Sequence, residues 1–318
     1  MRAFQVSQMG AGYAKGEFGE AEAPLLEKGF VLVAVDAASL NSADLRVVGG
    51  ELTGRFLHKN VKPLIPGYDF AGTVIESADP GFAVGDEVFG FLPYSPSNSA
   101  GTLAGQVAAK ADSIAKKPEG VSMLHAAMLG TAGATALQGL RDKLRVTRGQ
   151  RVLINGGSGG VGSFAVQVAK ELGATVVATC SAAKAAAVRE MGADEVIDYK
   201  TTSIKALPGP FDAIFDAAAT SSFAECGVLL TKTGRFMTTL PSLGLLTGKL
   251  RAAVSSRSCE VIIVKSTPAD LAQLADWIAA GKIKVAGESV PFDEVKKGFE
   301  RLDSGKVVGK VGVSMSKG

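Results

Sequence analysis

The pattern of apolar and polar residues changes character about a third of the way along the chain. Before residue 122, short β-like runs such as 30–35, 72–75 and 87–91 are separated by Gly, Pro and Asp. This punctuation predicts an irregular barrel or sandwich of strands rather than alternating strands and helices. Residues 92–105 carry neither pattern, and we expect a surface loop there.

From residue 122 onward, strand-like and helix-like segments alternate. An Ala- and Leu-rich stretch at 123–140 predicts a buried helix. The strands predicted after it are 152–155, 175–179, 195–197, 213–216, 235–239 and 261–264, and the helices are 161–172, 182–191, 222–230 and 268–280. Alternation of this kind is typical of a parallel, doubly wound α/β sheet.

The last part of the chain returns to the character of the first. Residues 284–315 contain short strands around one helix. We therefore expect residues 1–121 and 266–318 to form one mainly β domain, with an α/β domain of residues 122–265 inserted between them. A length of 318 residues is comfortable for two domains.

Composition excludes several classes of protein. Hydrophobic residues make up 47% and charged residues 20%, which is typical of a globular protein, and a net charge of +3 gives no reason to expect nucleic acid as a partner. The three cysteines, Cys180, Cys226 and Cys259, are far apart and indicate neither a disulfide framework nor a metal site. Neither a membrane span nor a targeting segment is apparent, so we expect a cytoplasmic protein.

A glycine-rich loop links the first predicted α/β strand to its helix. Gly157, Gly159 and Gly162 fit G-x-G-x-x-G, in which glycines permit a tight turn, close approach of a pyrophosphate, and close packing of helix on strand. The free N–H groups of the helix N-terminus favour phosphate. The loop therefore predicts a dinucleotide site, with a purely structural turn as the alternative; its expected contacts are Gly157, Ser158, Gly159, Gly160, Val161 and Gly162.

The end of the next predicted strand indicates which dinucleotide binds. NAD sites usually place an acidic residue there, but no Asp or Glu occurs between Glu171 and Glu190. Ser181 and Lys184 offer a hydroxyl and a cation that suit a 2′-phosphate, and Tyr199 could add a hydroxyl or a stacking ring. This pattern favours NADPH over NADH; the alternative is that Lys184 is an ordinary solvated lysine.

Several further motifs occur in a characteristic order. They are NSAD at 41–44, PGYDFAG at 66–72, VGDEVFG at 84–90, AAMLGTAGATA at 126–136, the glycine loop, MGAD at 191–194 with IDY at 197–199, and GK at 305–306 and 309–310. Over almost its whole length the chain resembles a zinc-free medium-chain dehydrogenase/reductase of the quinone oxidoreductase group. The resemblance implies a GroES-like catalytic domain, a Rossmann domain and a cofactor in the cleft between them.

The resemblance also bears on metal binding. Zinc-dependent members of the family carry a Cys in the region of residues 38–44 and a His–Glu pair after the glycine corresponding to Gly67. This chain has Asn41 and Asp44 in the first region and Tyr68-Asp69 in the second, and it lacks the four-cysteine lobe of structural zinc. We therefore expect no catalytic zinc.

Without a metal, the acceptor of the hydride must already be electrophilic. Quinones and α,β-unsaturated carbonyl compounds qualify, because conjugation spreads the developing negative charge, while the protein orients the cofactor. The resulting hypothesis is an NADPH-dependent quinone or enone reductase. Two alternatives stay open: a C=C reductase of alkenals or enoyl thioesters, and a non-catalytic protein that binds or senses NADPH.

The family resemblance suggests residues around the nicotinamide. Asn41 and Thr135 match positions that line the nicotinamide or its ribose, and Asp44 is expected to orient Asn41. Tyr68 stands where the ligand His is lost, and its phenol could donate a hydrogen bond to a substrate oxygen. The alternatives are a helix N-cap pair for Asn41 and Asp44 and simple packing for Tyr68. His58 is a weaker candidate at the substrate mouth.

Two apolar segments of the second half are also candidates. Residues 240–250 follow the fifth predicted strand, which in this fold brings Leu240 close to the nicotinamide, and their leucines suggest an apolar wall; a surface helix or a dimer contact is the alternative. The predicted strand at 261–264 would form a long apolar sheet edge that needs covering. We therefore expect a homodimer.

Overall fold

The computed structural model describes residues 1–96, 98, 100–241, 243–253 and 255–315. The chain divides into two compact units. The first contains Met1–Thr131, Lys265–Ala280 and Gly287–Gly318, and the second contains Ala132–Val264 and Gly281–Ala286. The first boundary, between Thr131 and Ala132, falls within the helix Met123–Gln138.

The strands and helices follow in chain order. The strands are β1 Arg2–Gln5, β2 Glu17–Glu20, β3 Phe30–Leu40, β4 Asp69–Ser77, β5 Glu87–Phe91, β6 Gln106–Lys110, β7 Ile114–Lys116, β8 Arg151–Asn155, β9 Thr175–Cys180, β10 Glu195–Asp198, β11 Phe211–Asp216, β12 Leu230–Thr238, β13 Ser258–Val261, β14 Gly287–Pro291 and β15 Lys310–Ser314. The helices are α1 Ser42–Gly49, α2 Met123–Gln138, α3 Gly160–Glu171, α4 Ala185–Glu190, α5 Phe223–Cys226, α6 Leu243–Ala253, α7 Pro268–Ala279 and α8 Val295–Asp303.

The first unit is built on a mainly antiparallel sheet. Its strand order is β14-β15-β3-β4-β5-β7, and β6 also pairs with β3. Strand β15, near the end of the chain, pairs with β3, near its beginning, with Val311 opposite Leu40. The apolar core of this unit includes Val33, Phe70 and Phe299, all fully buried. The two ends of the chain therefore do share one sheet, as the sequence indicated.

The second unit contains a six-stranded parallel sheet in the order β10-β9-β8-β11-β12-β13. The order reverses between β8 and β11, which defines the switch point where such sheets bind ligands at the carboxyl ends of their strands. Both faces of the central strands are buried, because every side chain from Val152 to Ile154 is inaccessible to solvent.

Three segments differ from the sequence-based predictions. Within 92–105, the described residues form no strand or helix, as expected for a loop. However, Thr102, Leu103 and Ala104 are fully buried, and the carbonyl of Leu103 accepts the N–H of Phe4. This part of the loop is therefore internal, although its polar composition indicated a surface position. The last parallel strand is Ser258–Val261, because its apolar tail at 262–264 continues beyond the sheet. The helix predicted at 222–230 is only four residues long, and a 3₁₀ turn then leads into β12.

Candidate functional site

The glycine loop begins directly after β8. Gly156 has φ +86°, a left-handed conformation that favours glycine, so it makes the tight turn that the motif requires. At Gly157 a Cβ would lie 2.9 Å from Cβ of Ala178 on β9, and at Gly162 it would overlap the carbonyl oxygen of Gly156. Gly156 is not one of the three motif glycines named from the sequence. Its role is visible only from its backbone angle, which the sequence does not show.

Gly159 is the exception among these glycines. It is exposed, its φ is −80°, and the nearest atom to an added Cβ is 3.5 Å away, which is an ordinary contact. The fold therefore does not require a glycine at this position. It caps α3, whose first N–H groups have no acceptor within the helix and suit a phosphate.

A buried network of polar side chains, which the sequence did not reveal, is hydrogen-bonded to the start of the glycine loop. Asn155 and Asp216 are the last residues of β8 and β11, and Thr179 is the last but one of the neighbouring β9, all at the switch point. The Asn155 amide donates to Asp216 at 2.8 Å and accepts from the Thr179 hydroxyl at 2.6 Å, and Thr179 in turn accepts the N–H of Gly156 at 3.0 Å. Burial raises the pKa of Asp216, and hydrogen bonds from Ser221 and Asn155 oppose the rise.

The three candidates for the 2′-phosphate lie at the ends of two adjacent strands. Asp198 of β10 is opposite Cys180 of β9, and the N–H of Tyr199 donates to the Cys180 carbonyl at 3.2 Å. Ser181 and Lys184 follow β9 directly, half-buried, whereas Tyr199 is 57% exposed. Burial lowers the pKa of Lys184, opposed by Cys180 nearby.

The same corner holds charges that the sequence did not associate with it. Burial and the charge of Asp198 raise the pKa of the Cys180 thiol, while the charges of Lys184 and Arg189 lower it. The Asp198 carboxylate accepts the N–H of Lys200 at 2.9 Å. Only the strand register could have placed Asp198 beside the end of β9.

Two more candidates of the second unit lie on separate elements. Thr135 is buried within α2, and Leu240 is half-buried just after β12. The predicted apolar wall at 240–250 forms helix α6 over much of its length. Leu250 is 66% exposed, whereas the side chains at 242–246 lie outside the described residues.

In the first unit, the fully buried carboxylate of Asp69 accepts hydrogen bonds from four residues, and we call Asp69 and these four residues the Asp69 cluster. One oxygen of Asp69 accepts from Ser39 at 2.7 Å, from the Asn41 amide at 2.9 Å and from the Lys310 ammonium at 3.1 Å. Its other oxygen accepts both the N–H and the hydroxyl of Thr131. The side chains of Lys310 and Asp69 are 3% and 0% exposed, so this ion pair is removed from solvent.

Asn41 and Asp44 have separate tasks. Asn41 is the N-cap residue of α1, but its side-chain amide faces Asp69 and Lys310. The Asp44 carboxylate accepts the backbone N–H groups of Asn41 at 2.7 Å and of Gly67 at 2.9 Å. Asp44 therefore fixes the main chain at Asn41 and at Gly67. Its bond to the Asn41 N–H is the helix-capping contact that was the alternative for this residue.

Asp44 should make stability depend on pH. Burial raises its pKa to about 7, opposed by the Asn41 N–H, raised further by Asp69, and lowered by Lys310 and by the Gly67 N–H. Since the folded-state pKa exceeds the unfolded value, the native state binds more protons between about pH 4 and 7, and stability falls as pH rises through that window. Relative to Asp44→Asn, the wild type should lose about 2 kcal/mol between pH 5 and 8, measured by urea unfolding. A difference between the two proteins that does not change with pH would refute this.

The proposed donor role of Tyr68 is not what its contacts show. Tyr68 is fully buried, and its hydroxyl donates to the backbone carbonyl of Leu57 at 2.9 Å, so its single proton is already committed. Its ring packs 4.2 Å from that of Tyr94, whose hydroxyl lies 3.2 Å from the Thr131 hydroxyl. His58 is also buried, with its Nδ1 2.8 Å from the carbonyl oxygen of Lys59.

The donor set does not suit a zinc ion. Asp69 already binds the Lys310 ammonium, and the phenol of Tyr68 is bonded to a carbonyl. All three cysteines lie in the second unit, where burial raises the pKa of Cys226 to about 12 and that of Cys259 to about 11, so both stay protonated. Among the described residues, no group of three or more His, Cys, Asp or Glu could hold a metal.

Comparison with protein families gives two matches. Residues 27–136 match the alcohol dehydrogenase GroES-like domain, and residues 191–313 match the family described as zinc-binding dehydrogenase. The predicted fold class, a Rossmann sheet inserted into a GroES-like, mainly β domain, is confirmed. In the part of the chain that the structure describes, no helix is long and apolar enough to cross a membrane.

Individual relatives narrow the group. Trans-enoyl reductase pgmF of Aspergillus terreus is 32% identical, over 90% of this chain and 86% of its own. An NADPH-dependent alkenal/one oxidoreductase, chloroplastic, of Arabidopsis thaliana is 32% identical, over 91% and 72%. The solved quinone oxidoreductase of Coxiella burnetii superposes with a TM-score of 0.90 at 30% identity, over 99% of both chains.

These matches establish the family. The chain belongs to the medium-chain dehydrogenase/reductase family, within the group of quinone oxidoreductases and enoyl reductases, and is an oxidoreductase that uses a nicotinamide cofactor.

Proposed function

We propose that this protein is an NADPH-dependent, zinc-independent oxidoreductase that reduces a quinone or a conjugated enone. When bound, the cofactor supplies a hydride from C4 of its nicotinamide. The observation that carries the proposal is the glycine turn at the switch point of the second unit, with Ser181 and Lys184 at the end of the adjacent strand. The NADPH dependence of the alkenal/one oxidoreductase relative agrees with it.

We assign the individual residues roles in cofactor binding, unit by unit. In the second unit, the loop from Gly157 to Gly162 holds the pyrophosphate, Ser181, Lys184 and Tyr199 hold the 2′-phosphate end, and Leu240 lies against the nicotinamide. Thr135 and Asn41 contact the nicotinamide or its ribose, and Asp44 positions the main chain of Asn41. Tyr68 keeps only a packing role in this proposal.

Zinc independence rests on the donors of the first unit. A metal ion there would need free carboxylate, thiolate or imidazole ligands. Asp69 has instead an internal cation, the Lys310 ammonium, at 3.1 Å. Without a Lewis acid to polarise an isolated carbonyl, the acceptor that suits this site is one whose conjugation already spreads negative charge.

The acceptor itself is tested by turnover. NADPH oxidation should be measured side by side with a quinone, a conjugated enone, a short alkenal and an enoyl thioester. Turnover of the quinone or of the enone supports the proposal. Preference for the alkenal or the enoyl thioester favours the second candidate, which the similarity to trans-enoyl reductase pgmF supports. Tight binding of NADPH without turnover of any acceptor would refute both.

Cofactor preference should depend on Lys184. Replacing Lys184 by Ala removes the cation proposed to meet the 2′-phosphate, so NADPH should bind about 10- to 100-fold more weakly and NADH almost unchanged. Titration of both cofactors by fluorescence measures this. Lys232→Ala, at an exposed lysine of β12, is the matched control. Equal weakening of both cofactors by Lys184→Ala would refute the assignment.

Three further expectations stay predictions. We retain the domain bounds 1–121 with 266–318 and 122–265, and a cytoplasmic location, which cell fractionation would test. We also propose a homodimer, because β13 is an edge strand and Ile263 beside it is 78% exposed. Sedimentation giving one species near 32.5 kDa would contradict the dimer.

A further inference from the structure

The amide of Asn41 is held at both of its polar ends. Its nitrogen donates to Asp69 at 2.9 Å, and its oxygen accepts from the Lys310 ammonium at 2.5 Å. The two partners are themselves paired at 3.1 Å, and Lys310 also donates to the Leu40 carbonyl at 3.0 Å. A buried triangle of one amide, one carboxylate and one ammonium therefore surrounds a single side chain.

The charges of this triangle allow only one orientation of the amide. Rotating it by 180° would place its NH₂ group against the ammonium, donor against donor, and its oxygen against the carboxylate, acceptor against acceptor. Both clashes would occur in a buried environment, where unpaired polar groups are most costly. The order of N and O in Asn41 is therefore set by Lys310 and Asp69.

The fixed orientation leaves one particular group of Asn41 for a ligand. Of the two amide N–H bonds, one is used by Asp69, and no described residue accepts the other. The side chain is only partly buried, so this N–H can meet a bound molecule. The amide oxygen, in contrast, is covered by the ammonium.

We propose that Lys310 is a positioning residue that, together with Asp69, fixes Asn41 as a hydrogen-bond donor toward the nicotinamide ribose or the oxygen of the acceptor. This proposal rests on the proposed function, because it assumes that Asn41 contacts the reacting molecules. It assigns Lys310 a role that touches neither cofactor nor acceptor. Asp69 acts in the same indirect way, through the orientation of the amide.

The test uses a pair of substitutions that should reverse the amide. In Lys310→Met with Asp69→Asn, no charge remains in the triangle, and the amide that replaces the carboxylate of Asp69 can donate its NH₂ to the oxygen of Asn41. The amide of Asn41 can then turn, so that it offers its oxygen to the ligand. We expect kcat to fall about 10- to 100-fold, the range for loss of a donor to a developing negative charge, with KM changed less than about twofold.

A matched control separates this effect from general damage. Thr102 is fully buried and donates to the main-chain carbonyl of Asp69 at 2.9 Å, without touching Asn41 or Lys310. Thr102→Val removes that bond beside the same residue and should leave kcat unchanged. If the double variant keeps the kcat of the wild type, the proposed role of Lys310 is overturned. If the wild type turns over no acceptor, the proposed function fails instead.

A second measurement needs no variant activity. The chain has only four asparagines, Asn41, Asn60, Asn98 and Asn155, so ¹⁵N-asparagine labelling gives four side-chain amide pairs in an NMR spectrum. Loss of one pair in Asn41→Ser assigns the signal. In the wild type its protons should exchange slowly with solvent. In the double variant, whose spectrum gains a fifth pair from the amide introduced at position 69, the Asn41 protons should shift and exchange faster. Fast exchange in the wild type, like that of exposed Asn60, would refute the fixed amide even if the double variant does not fold.

Discussion

Lys310→Met should lower the free energy of unfolding by about 3–5 kcal/mol, because it leaves the carboxylate of Asp69 buried without its cation. Methionine fills nearly the same volume as lysine, so the loss reports the charge rather than a cavity. Chemical denaturation measures it directly. The loss is a large fraction of the roughly 5–15 kcal/mol typical of a folded domain.

A second substitution, at Asp69, should restore the stability that Lys310→Met removes. Asp69→Asn added to Lys310→Met removes the stranded charge, and the double variant should regain most of the loss, since a buried ion pair contributes little net stability over neutral side chains. If Lys310→Met alone costs less than about 1 kcal/mol, the pair is not buried as described. If the second substitution adds to the loss, the coupling between the two residues is absent.

Gly159→Ala should weaken NADPH binding by at least about tenfold while leaving the thermal midpoint of unfolding nearly unchanged. The fold accepts a Cβ at this exposed position, with φ −80° and 3.5 Å to the nearest atom. A methyl group there would instead occupy the space in which the backbone approaches the pyrophosphate. Calorimetric titration and thermal unfolding of the same sample test both parts.

Gly162→Ala is the informative companion of this variant. Its Cβ would overlap the carbonyl oxygen of Gly156, so it should destabilise the fold by about 1–3 kcal/mol as well as weaken binding. The two glycines thus separate a requirement of the ligand from a requirement of the fold. Unchanged NADPH affinity in Gly159→Ala would show that the loop is only a structural turn.

Periodicity predicted the second unit well, for a physical reason. Buried parallel strands such as Arg151–Asn155 and amphipathic helices such as α3 carry their burial in local sequence, and the structure has both within one residue of the predicted bounds. The predicted bounds of strands were wrong where contacts with a neighbouring strand, rather than the local sequence, decide where a strand ends. The neighbouring strand β12 ends at Thr238, opposite Val261. The N–H of Ile262 still donates to the Thr238 carbonyl at 3.2 Å, and β13 does not continue beyond Val261, although residues 262–264 are equally apolar.

The candidate site was predictable only where its residues are close in sequence. The glycine loop and Ser181 with Lys184 belong to one continuous segment and could be recognised there. The Asp69 cluster joins residues 39, 41, 69, 131 and 310. The sheet pairing of β15 with β3 and of β3 with β4 brings residues 39, 69 and 310 together, with Asn41 directly after β3, and helix α2 adds Thr131. For the same reason, the sequence suggested a free phenol at Tyr68, whereas the fold places it against the carbonyl of Leu57.

Hydride should pass from the nicotinamide to a conjugated acceptor without a metal. The most direct measurement uses NADPH deuterated at C4 together with an enone, in protein treated with a strong chelator and dialysed. Mass spectrometry should find one deuterium on carbon in the reduced product, which should form at a rate unaffected by the chelator. Product without deuterium from either face of C4, or activity that is lost with the chelator and restored by zinc, would contradict it.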